Sequence, residues 1–187
     1  VWALAALEMV GNSILPAVLD PNDTDARTNM AMAATFAGVG FGNAGVHLPH
    51  GMSYPVSGLV KEYRPDGYPE GKAIVPHGMA VILNAPAVFR YTASSNPERH
   101  MRAAQLLGAD TKGAGPEDAG DLIAERLIFI LKQTGVPNGL GGVGYTINDV
   151  PRLVEGTLPQ HRVTKLAPRP TGADELTELF KDSMTLW

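Results

Sequence analysis

The chain has no cysteine, which excludes disulfides, thiolate nucleophiles, iron–sulfur clusters and cysteine-based zinc sites. It also removes any case for a secreted disulfide scaffold. No sign of charge dominates: 15 Lys and Arg stand against 19 Asp and Glu, a formal net charge of −4, with no long run of either sign. Neither nucleic acid nor an anionic membrane is therefore an expected partner. Long hydrophobic runs are lacking too. The most apolar stretch, residues 1–19, is broken by Glu8, Asn12 and Pro16. It reads as too short and interrupted to span a bilayer, and has no basic flank for a signal peptide. It reads instead as a helix already under way, so the chain is expected to be a piece of something longer. Period-2 alternation is scarce, and no G-x-S-x-G elbow, Walker A loop or H-E-x-x-H pair is present.

What is present is one tetrapeptide written twice, Pro49-His50-Gly51-Met52 and Pro76-His77-Gly78-Met79, preceded by a glycine-rich run from Gly38 to Leu48. Imidazole is the commonest protein ligand for zinc and iron near neutral pH. A glycine beside each histidine leaves room for a substrate or cofactor to come near. On residue types alone the signal stays open, since two histidines make half a metal site and can equally be satisfied core or cap residues. If they share one ion, their nearest nitrogens are expected roughly 3–4 Å apart.

At 187 residues the chain can bury a real core and is expected to form one domain. Helical spacing and helix punctuation dominate. Asp20-Pro21-Asn22-Asp23 reads as a helix start, leading into an Ala-, Met- and Gly-rich helix from Asp25 to about His50, kinked by Pro49. Its glycines each cost roughly 1 kcal/mol relative to alanine, which suggests close packing or a bound group. Residues 58–75 carry turn chemistry and mixed charge, a surface excursion between the two histidine motifs. A helix follows from about Pro76, with Pro86 as a kink. Another opens at Asn96-Pro97 and ends at Gly108; the next opens at Gly115-Pro116 and ends at Gly135. A glycine-rich loop, a short helix around 149–155, a polar loop and a helix from about 173 to 184 complete the chain. The expectation is an all-α domain of seven or eight helices.

Two stretches match G-x-G-x-x-G, at Gly40-Gly42-Gly45 and Gly139-Gly141-Gly144. Neither follows a strand within a βαβ pattern, so both read as packing or turn glycines rather than dinucleotide fingerprints. His47 reads as structural. His100 falls in a first helical turn among charges, and His161 in a polar loop.

The segment from Gly42-Asn43-Ala44-Gly45-Val46-His47 through Pro49-His50-Gly51-Met52-Ser53-Tyr54-Pro55 to Gly58 resembles a signature of the iron-containing (group III) alcohol dehydrogenases, in the hydroxyacid–oxoacid transhydrogenase branch. Val75-Pro76-His77-Gly78-Met79 resembles that family's second histidine motif. Pro97-Glu98-Arg99-His100, Leu107-Gly108-Ala109-Asp110-Thr111, Gly156-Thr157-Leu158-Pro159-Gln160 and residues 163–170 resemble the same branch. The resemblance implies a carboxy-terminal helical domain of the dehydroquinate synthase-like fold, residues 1–187. Its amino-terminal dinucleotide-binding partner domain is absent here. It further implies an iron or zinc ion held by an aspartate and three histidines, two of them matching His50 and His77. The other two ligands would lie on a helix upstream of Val1. The 27-residue separation (77 − 50) and the charged 59–75 segment resemble the transhydrogenase branch.

By the same resemblance, Tyr54 falls where simpler relatives carry a further histidine near the nicotinamide. Its phenol is a candidate catalytic proton relay, or a packing group. Asn43, Gly45 and Val46 are the candidates for the surface facing NAD(P). The implied activity is metal-dependent hydride transfer between an alcohol or hydroxyacid and the nicotinamide, in a homodimer. The implied location is the cytoplasm, or the mitochondrion in a eukaryote. A non-catalytic helical binding or scaffolding module is the alternative.

Overall fold

The structure is a computed structural model and describes all residues, 1–187. It is helical throughout, without strands, as expected. The ten helices are α1 (Trp2–Leu19), α2 (Thr24–Ala44), α3 (Leu48–Gly58), α4 (His77–Ile82), α5 (Ala85–Ala93), α6 (Pro97–Leu106), α7 (Ala119–Gln133), α8 (Val150–Thr157), α9 (His161–Thr164) and α10 (Ala173–Asp182). They divide into two compact units, one made of residues 1–45 and 93–135, the other of 46–92 and 136–187.

In the first unit α1 and α2 form an antiparallel-style pair, with α6 and α7 packed together and against α1. The contact surfaces are built from small residues. Ala6 and Ser13 of α1 and Ala26 and Ala33 of α2 are buried, and Trp2 meets Phe36 edge-on at 5.1 Å. Gly11 is the tightest point: a Cβ there would stand 2.1 Å from the carbonyl oxygen of Leu106. By length and composition alone α1 is apolar enough to cross a membrane (18 residues, mean hydropathy 1.5). Within the unit it contributes one face to a helix pack. Arg126 closes the end of α6, its Nε donating to the Leu107 carbonyl at 2.6 Å, beside Gly108 at φ 89°.

In the second unit the core gathers Leu48, Met52 and Val56 of α3 with Val88, Leu140, Leu153 and Phe180. Helix α3 packs against α4, α8 and α9, and α8 against α10. Tyr145 is buried and its hydroxyl donates to the Val56 carbonyl at 2.6 Å. The second glycine cluster packs under the carboxy-terminal segment. Leu140 and Gly141 donate backbone N–H groups to Ser183 and Met184, and a Cβ on Gly139 would strike the Met184 carbonyl oxygen at 2.5 Å. These are packing glycines, as read from the sequence.

Several boundaries differ from expectation for identifiable reasons. The cap of α2 is Asp23, which accepts from Ala26 N at 2.8 Å, so Asp20-Pro21 lies ahead of the helix instead of opening it. The long helix does not run on to His50. It stops at Gly45, φ 75°, and Pro49 sits in the first turn of α3, where the missing N–H has no partner to lose. Pro86 likewise opens α5 instead of kinking α4, because the chain breaks at Leu83-Asn84. Gly38 and Gly42 have nothing within 4 Å of a built Cβ, so close packing does not explain them. The 59–75 excursion is only partly superficial: Val75 is buried, and Leu59, Val60 and Tyr63 pack on the core. The polar loop after α8 hides a four-residue helix, α9.

Candidate metal centre

Helix α3 starts where Pro49 permits a helix and continues because Leu48, Met52, Val56 and buried Gly51, Ser53 and Pro55 fill the core side. His50 and Tyr54, four residues apart, are left on the other face. Ser53 ties its hydroxyl to the His50 carbonyl at 2.7 Å. Further along, Ser57 Oγ donates to the Val75 carbonyl at 3.2 Å, which holds the returning strand of chain beside α3. Val75 is buried there, and two residues later His77 begins α4 behind the Pro76 cap.

The consequence is that the two histidines meet. Their ring centres lie 5.4 Å apart with planes inclined at 59°. Two imidazoles whose nitrogens each reach one tetrahedral ion at about 2.0–2.1 Å have ring centres roughly 5 Å apart. Burial, and secondarily the repulsion of His77, hold the His50 pKa below the ordinary imidazole value, so His50 presents a neutral nitrogen. The donor set thus fits a divalent transition metal. No group of three or more His, Asp or Glu side chains converges anywhere in the chain, so the convergent donors number two.

Tyr54 does not pack in the core; it is 38% exposed, and its hydroxyl oxygen accepts from Arg162 Nη2 at 3.0 Å. Arg162 was not singled out in the sequence. It belongs to a polar stretch 108 residues from its partner, and no local spacing announces that contact. Asn43 turns back on its own helix, Nδ2 donating to the Val39 carbonyl at 2.8 Å. Gly45 is the left-handed stop of α2, and Val46, half-buried, follows it into the link toward α3. His47 occupies the N-cap position of α3 without a side-chain cap bond and meets Phe89 edge-on at 6.4 Å, in keeping with a structural role. His100 points its Nδ1 to the Asn96 carbonyl at 2.9 Å, and His161 opens α9, exposed.

An all-helical domain that brings two imidazoles from separate helices together, their planes tilted at 59° and a glycine beside each, presents a candidate metal centre. The chain belongs to the Fe-containing alcohol dehydrogenase family as its C-terminal domain, matched over residues 1–184. It is 52% identical over 187 residues to the hydroxyacid-oxoacid transhydrogenase, mitochondrial, of Xenopus laevis. It is 51% identical over 187 residues to the human protein of the same name. In each case all of this chain and 40% of the relative is covered, so the chain spans about two fifths of those relatives. A solved 1,3-propanediol oxidoreductase superposes with a TM-score of 0.85 at 26% identity, over 97% of this chain and 44% of that one.

Proposed function

We propose that this domain forms the metal-holding half of an oxidoreductase that moves a hydride between a hydroxyacid or alcohol and a nicotinamide cofactor. The observation that carries this reading is the convergence of His50 and His77, 5.4 Å between ring centres, within a domain of the Fe-containing alcohol dehydrogenase family. His50 and His77 would hold iron, or zinc in its place. When bound, such an ion polarises the alcohol or carbonyl oxygen as a Lewis acid.

The chain's own residues do the rest of this half's work. Gly51 lets α9 pack closely on the helix that carries His50, and Gly78 leaves open space beside His77. Tyr54 stands one helical turn beyond His50. Its oxygen already accepts from Arg162, so its own proton is free to be donated and recovered, the role of a relay. Asn43, Gly45 and Val46 remain the candidates for the nicotinamide-facing surface. The relatives' name favours a transhydrogenase, in which a hydroxyacid is oxidised as an oxoacid is reduced. The same names carry the word mitochondrial, which supports the mitochondrial arm of the expected location. A homodimer is the proposed assembly.

The test uses the intact enzyme that carries this domain. His50→Ala and His77→Ala should each abolish metal retention and nicotinamide-linked activity together, whereas His161→Ala should leave both nearly intact. Metal analysis and nicotinamide absorbance read the outcome. Full activity in His77→Ala would overturn the assignment.

A further inference from the structure

Arg162 is an exposed residue of the four-residue α9 whose side chain reaches across to α3. Tyr54 lies one turn, about 5.4 Å, along α3 from His50 and on the same face, and the guanidinium is fixed 3.0 Å from its phenol. The backbone that carries Arg162 is anchored to the same turn of α3 that carries His50. Val163 is buried, and the Thr164 methyl fills the space over Gly51, 2.8 Å from where a Cβ would stand. A cation is therefore carried on the face of α3 that also presents His50.

Two other cations of this unit are engaged elsewhere. Arg169 stacks on Tyr91 at 4.1 Å and donates to the Tyr91 carbonyl. Lys61 is paired with Asp149 at 2.8 Å. Arg152 lines a cavity of about 420 Å³ beside Tyr54 that Glu155 also lines, so the charges there oppose. Arg162 makes its hydrogen bond to a neutral phenol, which leaves most of a planar five-donor fork unspent and uncompensated.

Resting on the hydride-transfer reading of the His50–His77 centre, we propose that Arg162 binds the substrate's carboxylate and so selects short hydroxyacids and oxoacids over uncharged alcohols. A molecule with a hydroxyl at one end and a carboxylate a few carbons away has one group for the histidine pair and one for a guanidinium that bonds Tyr54, one helical turn beyond His50. The two carboxylate oxygens take the parallel N–H groups of the fork, while Tyr54 keeps the fork aimed.

Three forms of the intact, metal-loaded enzyme decide this: wild type, Arg162→Ala and Arg162→Lys. Metal content and the urea midpoint establish that each is folded and loaded. The KM and kcat for 4-hydroxybutyrate are measured, and the Kd of butyrate, an inert carboxylate, is taken by calorimetry. Arg162→Ala should raise both KM and Kd about ten- to hundredfold with kcat changed by less than about threefold, the loss of a charged hydrogen-bonding group that acts on binding. Arg162→Lys should recover part of both by restoring the charge. Unchanged KM and Kd in Arg162→Ala would overturn the role of Arg162 and leave the metal centre standing. A fall in kcat with butyrate affinity intact would show a structural role and overturn it as well. A wild-type enzyme without metal or hydride transfer would overturn the underlying reading, and this inference with it.

Discussion

Tyr145 shows how a single buried hydroxyl ties the helix of the candidate site to the rest of its unit. Its O–H donates to the Val56 carbonyl near the end of α3, and burial, followed by the nearby Asp149 charge, pushes its pKa up to about 12. The folded state therefore holds this proton more tightly than the unfolded chain, whose tyrosine titrates near 10. The contribution is fully present below about pH 10 and is lost as pH rises from there toward about 12. Tyr145→Phe should cost about 1 kcal/mol at pH 7, and its stability should fall less steeply across that alkaline window. Urea midpoints of both proteins between pH 7 and 11.5 check this; parallel curves would remove Tyr145 from the account.

A second case at this scale is Asp149. The hydrogen bond from Lys61 is the largest of the effects holding its carboxyl below the usual range. The Thr146 backbone N–H bonds the same group at 2.8 Å. One side chain thus caps the turn before α8 and pins the 59–75 excursion to it. Because the pair is partly exposed, its worth is the modest one of a surface ion pair, and its value lies in fixing the loop that returns the chain to His77.

At the scale of elements, the decisive contact is α9 on α3. Gly51→Ala adds a methyl that meets the Thr164 Cγ2 at 2.8 Å and the Val163 Cγ2 at 3.4 Å. Threonine is stiff about χ1, so the clash cannot be turned away, and the substitution should cost about 1–3 kcal/mol through overpacking. Thr164→Ser removes the offending methyl while keeping the hydroxyl that donates to the Gln160 carbonyl. The pair Gly51→Ala with Thr164→Ser should regain most of the loss, since alanine is otherwise favoured over glycine inside a helix by about 1 kcal/mol. A double-mutant cycle on urea midpoints measures it, and additive effects would mean that the two residues do not meet. Gly11→Ala has no such remedy. Its Cβ would meet the Leu106 carbonyl oxygen at 2.1 Å, and backbone cannot be trimmed.

At the scale of the whole chain, the ligand count governs. A metal site that holds its ion has about three protein ligands or more, and the proposed pair, His50 and His77, is two. The 187-residue chain alone should keep well under one equivalent of iron or zinc after dialysis, while the intact enzyme keeps its own. Elemental analysis of both decides it, and one tightly held equivalent on the chain alone would show that a further ligand had gone unrecognised.

The helical class, the caps at Asn96 and the stops at Gly108 and Gly135 were legible in the sequence because they depend on local chemistry: an acceptor side chain for free N–H groups, or a residue that tolerates positive φ. The repeated Pro-His-Gly-Met likewise named its own histidines. Local rules misplaced the prolines, since Pro49 and Pro86 suit either a kink or a helix start and only the surrounding packing chooses between them. They also said nothing of α9, which is four residues long and exists because Val163 and Thr164 have α3 to rest on. The meeting of His50 with His77 across 27 residues, and of Tyr54 with Arg162 across 108, was decided by tertiary structure alone. Contacts between distant residues depend on which apolar faces bury one another, and that is a property of the packed core rather than of any one segment.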